Sequence, residues 1–500
     1  MIKSVLVANR GEIAVRIIKA CQELGIHTIA IYSDVDAKAP HVTIADETVN
    51  LGDPTPVESY LNIPKIIQIA KEKQADAIHP GYGFLAENPD FAQTCNKAGI
   101  KFIGPSPEVI SLMGDKIAAK KTMEKAGVPV IPGYHGSKQD NESLAKEGKK
   151  IGFPLLVKAA AGGGGKGMRI VHSEDMLLES IEGAKRESKS SFGDDTVFLE
   201  KYLEKPRHIE FQILADEKGH TIHLFERECS IQRRHQKIVE ESPSPVMTDE
   251  LRKKMGEAAV TAAKAVGYSN AGTVEFMIDE QMNYYFMEMN TRLQVEHPIT
   301  EMTTGVDLAK WQLRIASGEP LTLKQKDLSQ RGHAIECRIY AENPKNGFLP
   351  STGTLHTIEE PVGPNIRVDS GVLPENVVSA YYDPMLSKLI TYAENREECI
   401  NKMIWALSHY VIIGVTSNIF FLKEVLDHEE FKKGNTTTHF IDNYFSEWTS
   451  SKNMLPIDAL ISLAVYDSLH STKEEIVRYK EADPHSPWKH VGRWRVGGGE

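Results

Sequence analysis

Apolar and polar positions follow two alternating rhythms over the first hundred residues. Ser4 to Ala8 is a short apolar run. Gly11 to Leu24 then places Ile13, Ile17, Cys21 and Leu24 at helical spacing, with Gly25 as a stop. His27 to Tyr32 is apolar and β-branched, Ala75 to His79 and Lys101 to Ile103 read as further short strands, and Pro89 to Ala98 reads as a helix. Strand alternating with helix predicts an α/β domain with a mainly parallel sheet. Its strand tips carry Asn9-Arg10-Gly11, Gly81-Tyr82-Gly83 and Gly104-Pro105-Ser106, the ends at which open α/β sheets hold ligands.

The texture then changes to α+β. Asp115 to Ala126 predicts a charged helix closed by Gly127. A small section follows, with strands Leu155–Ala159 and Arg169–Val171 around a run of glycines. Arg207 to Leu214 alternates strictly, and Glu217-Lys218-Gly219 supplies a turn before a strand over Thr221 to Phe225. Helices are predicted over Thr248 to Val266, Val306 to Ser317, Glu397 to Tyr410, Ser417 to Leu426 and Ile457 to Ser468, and residues 333 to about 395 are strand-rich.

Composition narrows the function. The chain has 500 residues, 41% hydrophobic and 25% charged, which suits a globular protein with a full core. A net charge of −11 argues against a general nucleic-acid binder. No apolar run reaches the roughly 18 residues of a membrane span. The N-terminus shows neither a separate apolar signal segment nor an Arg-rich leader. Five scattered cysteines, Cys21, Cys95, Cys229, Cys337 and Cys399, fit buried thiols in a reduced compartment.

Several segments carry candidate chemistry. Gly162, Gly164 and Gly167 satisfy G-x-G-x-x-G, but Met168-Arg169-Ile170-Val171 is strand-like, so neither a dinucleotide fingerprint nor a Walker loop fits. A glycine turn between strands suggests a flap whose backbone N–H groups approach phosphates, with Lys158 adding charge; a plain surface hairpin is the bland alternative. In the predicted hairpin of Ala271 to Ile278 and Tyr284 to Asn290, a turn centred on Gln281-Met282 sets Glu275 opposite Glu288 and Thr273 opposite Asn290. Two opposed carboxylates destabilise a sheet unless a cation lies between them, and with the Asn290 amide they make a hard oxygen site suited to Mg²⁺; a solvated polar face is the alternative.

Next comes Thr291-Arg292-Leu293-Gln294-Val295-Glu296-His297-Pro298. If extended, it projects Arg292, Gln294 and Glu296 the same way, a set able to grip a small oxyanion and move a proton; a plain Arg292–Glu296 ion pair is the other reading. Cys229 to Glu241 holds a basic run, Gln232 to Lys237, which reads as a phosphate pocket or a solvated loop. His208, Glu210 and Gln212 share one strand face.

Together these residues resemble the biotin carboxylase family of the ATP-grasp superfamily. The matching runs are Val7 to Ala14, His79 to Leu85, Ala161 to Met168, Gln232 to Lys237, Glu288 to Pro298 and Tyr381 to Met385. The resemblance covers about residues 1–447. It implies a pre-ATP-grasp parallel-sheet domain over 1–114, an ATP-grasp domain over 115–330 with a mobile lid at about 131–203, and a biotin carboxylase C-terminal domain over 331–447. Residues 448–500 are expected to begin a linker or assembly domain.

By the same resemblance, Lys116, Lys158, Gly163, Gly164, Gly165, Glu200, Lys201, Leu203, His208, Gln232 and His235 would hold ATP. Glu275, Glu288 and Asn290 would hold Mg²⁺ (or Mn²⁺). Lys237, Arg292, Gln294, Val295 and Glu296 would hold bicarbonate, with Glu296 as the base. Tyr82 and Arg338 would meet biotin, a substrate on a carrier domain outside this chain, since no Met-Lys-Met occurs in it. Implied partners are that carrier and a separate carboxyltransferase, in a homodimer or a larger complex, in a bacterial cytoplasm or a mitochondrial matrix. The tail, with Asp483 to Trp488 and Gly492 to Arg495, is similar to the region that follows the biotin carboxylase part of acyl-CoA carboxylase α chains, and a truncated α chain is expected. Another ATP-grasp ligase, as in carbamoyl-phosphate synthetase, and a non-catalytic scaffold are the competing readings.

Overall fold

A computed structural model describes residues 2–159, 168–446, 448 and 457–470. The chain divides into two units, residues 1–448 and 449–500. In the second, the described element is the helix Ile457–His470. No helix among the described residues is long and apolar enough to cross a membrane.

The first sheet is parallel. It contains β1 (Ser4–Val7), β2 (His27–Ser33), β3 (Glu47–Gly52), β4 (Ala77–His79) and β5 (Lys101–Phe102), in the order β3-β2-β1-β4-β5. The chain winds outward from β1 in both directions, so the crevice lies where β1 and β4 end. Asn9 follows β1, and its amide donates to the carbonyls of Pro80 and Tyr82, both at 2.7 Å. Gly81 sits between them with φ +64°, and a Cβ there would strike the Asn9 amide. The helix Gly11–Glu23 packs Ile13, Ile17 and Cys21 inward as its spacing predicts, and also buries Glu12. Two helices without a sequence-based expectation, Ile63–Glu72 and Pro107–Gly114, start at Asn62 and Ser106, whose side chains accept from Lys65 and Val109 N–H. The edge strand β3 alternates half-buried and exposed positions over most of its length, which is why its apolar signal is weak.

A second, antiparallel sheet has the order β6-β9-β7-β8, from β6 (Gly133–Tyr134), β7 (Leu155–Ala159), β8 (Arg169–Val171) and β9 (Val197–Lys201). The strands flanking the glycine run form as expected. The run itself, including Gly163, Gly164 and Gly165, lies outside the described residues.

The third sheet has eight antiparallel strands. β10 (Arg207–Ala215), β11 (Thr221–Arg233), β12 (Gln236–Ser242), β13 (Asn270–Ile278), β14 (Tyr284–Asn290) and β15 (His333–Tyr340) are joined by Met385–Ala393 and Ile366–Ser370. β12 pairs with β15, Val239 opposite Cys337, so one sheet continues across residue 330. Two expectations change here. The strand expected to end at Phe225 runs on to Arg233, and Gln232 to Lys237 is not a loop. It is the tip of a hairpin whose exposed turn residues, Arg234 and His235, both have positive φ, as a two-residue turn between twisted strands requires. The five cysteines are free and buried.

Candidate functional site

The hairpin register places Glu275 opposite Glu288 and Thr273 opposite Asn290, as the sequence predicts. The turn, however, is centred on Gln281, which shifts the pairing beside it by one residue and sets Ile278 opposite Tyr284. A bulge between Phe286 and Glu288 inserts Met287 and restores the expected pairing at the carboxylates. On the other side Glu275 pairs with Glu210, and Glu210 with Arg227. One row therefore crosses four strands: Glu288, Glu275, Glu210, Arg227. The β10 face of His208, Glu210 and Gln212 is buried rather than solvated, because Arg227 fills it and donates to Glu210 (2.6 Å), Gln212 (2.7 Å), Thr300 and Thr273.

Lys237, on β12, reaches this row from the hairpin. Its Nζ donates to Glu210 at 2.5 Å, Glu275 at 3.0 Å and Glu296 at 2.6 Å. Burial lowers its pKa, but the three carboxylates outweigh burial and hold it well above the usual lysine range. Glu296 is fully buried. Its Oε1 accepts from Lys237 and its Oε2 from Arg338 at 3.0 Å. Burial raises this carboxyl, yet Lys237, Arg338 and Arg227 hold it well below the usual range, so it is ionised.

The segment before Glu296 is not extended. Glu296 stands at the entry of the helix His297–Thr304, with Pro298 in its first turn, and the chain turns there. Arg292 and Gln294 still meet, NH1 to Oε1 at 3.1 Å. The ionic partner of Arg292 is Glu87, at 2.8 Å; it is not Glu296. Arg292 also donates to Asn290 Oδ1 at 3.2 Å, and Gln294 and Asn290 donate to Glu275 Oε1 at 3.0 and 2.6 Å. His208 Nε2 lies 2.8 Å from Glu275 Oε2, and Gln232 donates to His208 Nδ1 at 2.6 Å.

Glu288 is raised by burial and by Glu275 beside it. A divalent cation between the two would relieve that repulsion, and Glu275, Glu288 and Asn290 supply hard oxygen donors for it. His208, Glu210 and Glu275 also stand close enough to share an ion, but Lys237 already occupies that group.

Toward the second sheet, Glu200 is fully buried and holds two lysines, Lys158 at 2.6 Å and Lys120. Burial lowers Lys120 to about 7, helped by Lys158 and Lys116, and lowers Lys158 to about 8, helped by Lys116. Lys116 is exposed at the start of its helix. Lys120 carries no sequence-based expectation, although Lys116 and Lys120 are one helical turn apart and such a pair on one face is a legible sign. Lys201 donates to the Phe153 carbonyl at 2.9 Å, and Leu203 is half-buried just beyond β9.

On the far side, Arg338 donates to Glu240 at 2.6 Å as well as to Glu296. Lys388, opposite Arg338 in the sheet, is fully buried, lies 3.0 Å from Glu12 and donates to the Val295 carbonyl at 2.9 Å. Tyr82 hydroxyl donates to Glu12. Gly371 admits this approach, since a Cβ there would strike the Glu12 backbone. Lys388, Glu12, Glu87 and Glu240 give no signal in the sequence because their partners lie far along the chain.

Three family models match the chain: the biotin carboxylase N-terminal domain over residues 1–110, the ATP-binding domain of the carbamoyl-phosphate synthase L chain over 115–324, and the biotin carboxylase C-terminal domain over 336–443. Biotin carboxylase 1 of Bacillus subtilis is 52% identical over 445 residues, 89% of this chain and 99% of that protein. A pyruvate carboxylase subunit from Methanothermobacter thermautotrophicus is 54% identical over 444 residues, 89% of this chain and 90% of that one. The alpha chain of the mitochondrial methylcrotonoyl-CoA carboxylase of Dictyostelium discoideum is 49% identical over 496 residues, 99% of this chain and 70% of that one. Among solved structures, the biotin carboxylase domain dimer of the Hydrogenobacter thermophilus 2-oxoglutarate carboxylase, in complex with MgADP, ADP and bicarbonate, has a TM-score of 0.85 at 49% identity, over 90% of this chain and 100% of that one. With relatives of this identity matched over nearly their whole length, the chain belongs to the biotin carboxylase family, the enzymes that carboxylate biotin at the expense of ATP.

Proposed function

We propose that this chain binds MgATP and bicarbonate in the cleft around Glu296 and carboxylates biotin presented by a separate carrier domain, as the first half-reaction of an acyl-CoA carboxylase. The observation that carries the reading is the setting of Glu296: an ionised, enclosed carboxylate between Lys237 and Arg338, within the electrostatic reach of Arg292, which is itself bonded to the Gln294 amide. Such a site combines an anion grip with a base in contact with the gripped atoms.

In this reading Lys116, Lys120 and Lys158 attract the nucleotide phosphates, with Glu200 holding the last two, and Lys201, Leu203, His208, Gln232 and His235 complete the nucleotide site. Glu275, Glu288 and Asn290 would hold a divalent cation, which would supply charge neutralisation at the phosphates. Lys237, Arg292, Gln294 and the Val295 backbone orient bicarbonate so that one oxygen faces the γ-phosphate. Glu296 takes the bicarbonate proton as that oxygen bonds to phosphorus and ADP leaves. The product, carboxyphosphate, breaks to CO₂ and phosphate. Phosphate then takes the ureido proton of biotin, and the biotin nitrogen bonds to CO₂. Arg338, with Tyr82 near it, faces the negative charge that develops on the ureido oxygen. Enclosure by the second sheet would protect carboxyphosphate from water.

An acyl-CoA as final acceptor is supported by the extent of the match to the methylcrotonoyl-CoA enzyme, which continues past residue 450 where the pyruvate carboxylase match is shorter. The dimer formed by the Hydrogenobacter thermophilus domain supports assembly as a homodimer or within a larger carboxylase. Phosphate release with biotin and bicarbonate each left out in turn tests the first claim. Turnover that ignores biotin favours another ATP-grasp ligase. Carboxyl transfer to an acyl-CoA or to a 2-oxo acid, with carrier and carboxyltransferase added, tests the second.

A further inference from the structure

Behind Arg338 lies a second pair of facing carboxylates that the proposed reaction does not use. Glu240 on β12 is opposite Glu336 on β15, and both are fully buried. Glu240 Oε1 accepts from Arg338 Nε at 2.6 Å. Glu240 Oε2 and both oxygens of Glu336 have no hydrogen-bond partner. Lys388 does not supply one: its ammonium is engaged by Glu12 at 3.0 Å, the Val295 carbonyl at 2.9 Å and Asp369 at 3.7 Å. Two ionised carboxylates directly opposed across a sheet repel, and in a buried setting such a pair keeps one proton between them.

We propose that Glu240 and Glu336 share a single proton, and that this acid pair positions Arg338: it presents one negative charge to the Nε edge of the guanidinium and leaves the NH2 edge for Glu296 and the substrate. One O–H bridging the two groups satisfies two of the three orphaned oxygens, Glu240 Oε2 and one oxygen of Glu336. The groups facing the pair are Arg338, Lys388 and the Tyr340 phenol, Lys237 and Glu296 from the site, and the thiol of Cys229; the Cys337 thiol lies near the pair on the other face of the sheet. Burial pushes Glu240 up to about 7 against the pull of Arg338, and raises Glu336 well above the carboxylate range. Loss of the proton at alkaline pH doubles the charge behind Arg338 and draws it off Glu296.

The kinetic arm of the test rests on the biotin-carboxylating reading, whereas the spectroscopic arm does not. With ¹³C-labelled glutamate, an infrared titration of the full chain is expected to show a protonated carboxyl band near neutral pH that disappears in step with an alkaline fall in biotin-dependent kcat. Glu336→Gln is expected to remove both the band and the alkaline limb, since its amide donates permanently to Glu240. Glu240→Gln is expected to lower biotin-dependent kcat by roughly ten- to a hundredfold, as for a misplaced catalytic group, with the KM for ATP within about twofold. An unchanged band and pH profile in Glu336→Gln overturns the proposal. If neither variant folds, the unsubstituted protein decides: an alkaline limb without the band, or a band that does not titrate with the limb, overturns it. If the chain lacks biotin-dependent turnover altogether, the functional reading fails while the band still tests the shared proton.

Discussion

Lys237 Nζ and Glu296 Oε1 lie 2.6 Å apart, and the same ammonium also holds Glu210 and Glu275. A base held so far below its usual range is weak while both its oxygens are engaged. In the proposed reaction it gains strength as bicarbonate takes over the hydrogen bond of Lys237. Glu296→Gln keeps the shape and removes the proton acceptor. Bicarbonate- and biotin-dependent ATP cleavage should fall by about a thousandfold, at the scale of general base catalysis, while the Kd for ATP stays within about twofold. Near-normal turnover in a phosphate-release assay would remove Glu296 from this role.

Removal of the ammonium tests a different consequence. Lys237→Met leaves three buried carboxylates without their shared cation, and uncompensated buried charge costs about 3–5 kcal/mol. Glu210, Glu275 and Glu296 should then take up protons. The expected result is a lower urea midpoint that recovers in part as pH is lowered toward 5. A variant as stable as the parent across that range would contradict the enclosure of the cluster.

Glu275 and Glu288 make the metal prediction. Glu288 is raised by burial and by its neighbour, so a bound divalent ion must displace a proton or relieve repulsion there. Glu275→Gln with Glu288→Gln should raise the Mg²⁺ concentration for half-maximal ATP cleavage at least tenfold, a loss of about 1.4 kcal/mol. Nucleotide binding without metal should change little. An unchanged Mg²⁺ titration would refute the carboxylate pair as the cation site.

Alternation makes legible which side chains share a face, but the pairing of Glu275 with Glu288 depends on the turn assumed at Gln281-Met282. The turn is in fact centred on Gln281, and the pairing is recovered because the Met287 bulge returns Glu288 to its place. The extended reading of Arg292 to Glu296 fails for a similar reason. The helix start at His297-Pro298 bends the chain, yet Arg292 and Gln294 still meet through local hydrogen bonds. What stays hidden depends on residues distant in sequence. Glu87 pairs with Arg292 and Glu12 with Lys388, contacts that only the packed domains create. The facing carboxylates Glu240 and Glu336 are legible only when β12 and β15 are known to be neighbours.

Lys120, silent in the sequence, yields a prediction of its own. Its ammonium shares Glu200 with Lys158; burial, with repulsion among the neighbouring lysines, holds both below the usual range. Polyphosphate supplies negative charge that raises both. The sign follows: between about pH 7 and 9, ATP binding should be accompanied by proton uptake and should tighten as pH falls. Titration calorimetry in buffers of different ionisation enthalpy measures the uptake. Lys120→Gln should reduce it and raise the KM for ATP about tenfold or more, with the KM for biotin unchanged. Equal uptake in parent and variant would detach Lys120 from the phosphates.

Acid stability rests on a group away from the chemistry. Glu241 on β12 is buried and accepts from Arg396 at 2.6 and 3.0 Å and lies 2.8 Å from His333 Nε2. Burial raises its pKa, but Arg396 and His333 overcome that and hold it at about 2. The folded value is thus depressed below that of the unfolded chain. Its stabilisation is fully present above about pH 4.5 and is lost as pH falls from there toward 2. The linkage amounts to about 3 kcal/mol. Glu241→Gln should lower the Tm at pH 7 and flatten its decline between pH 5 and 3, because the variant has no carboxylate to protonate there. Calorimetric Tm values for both proteins across that range decide it, and parallel declines would mean that the Arg396–Glu241–His333 cluster does not carry the acid response.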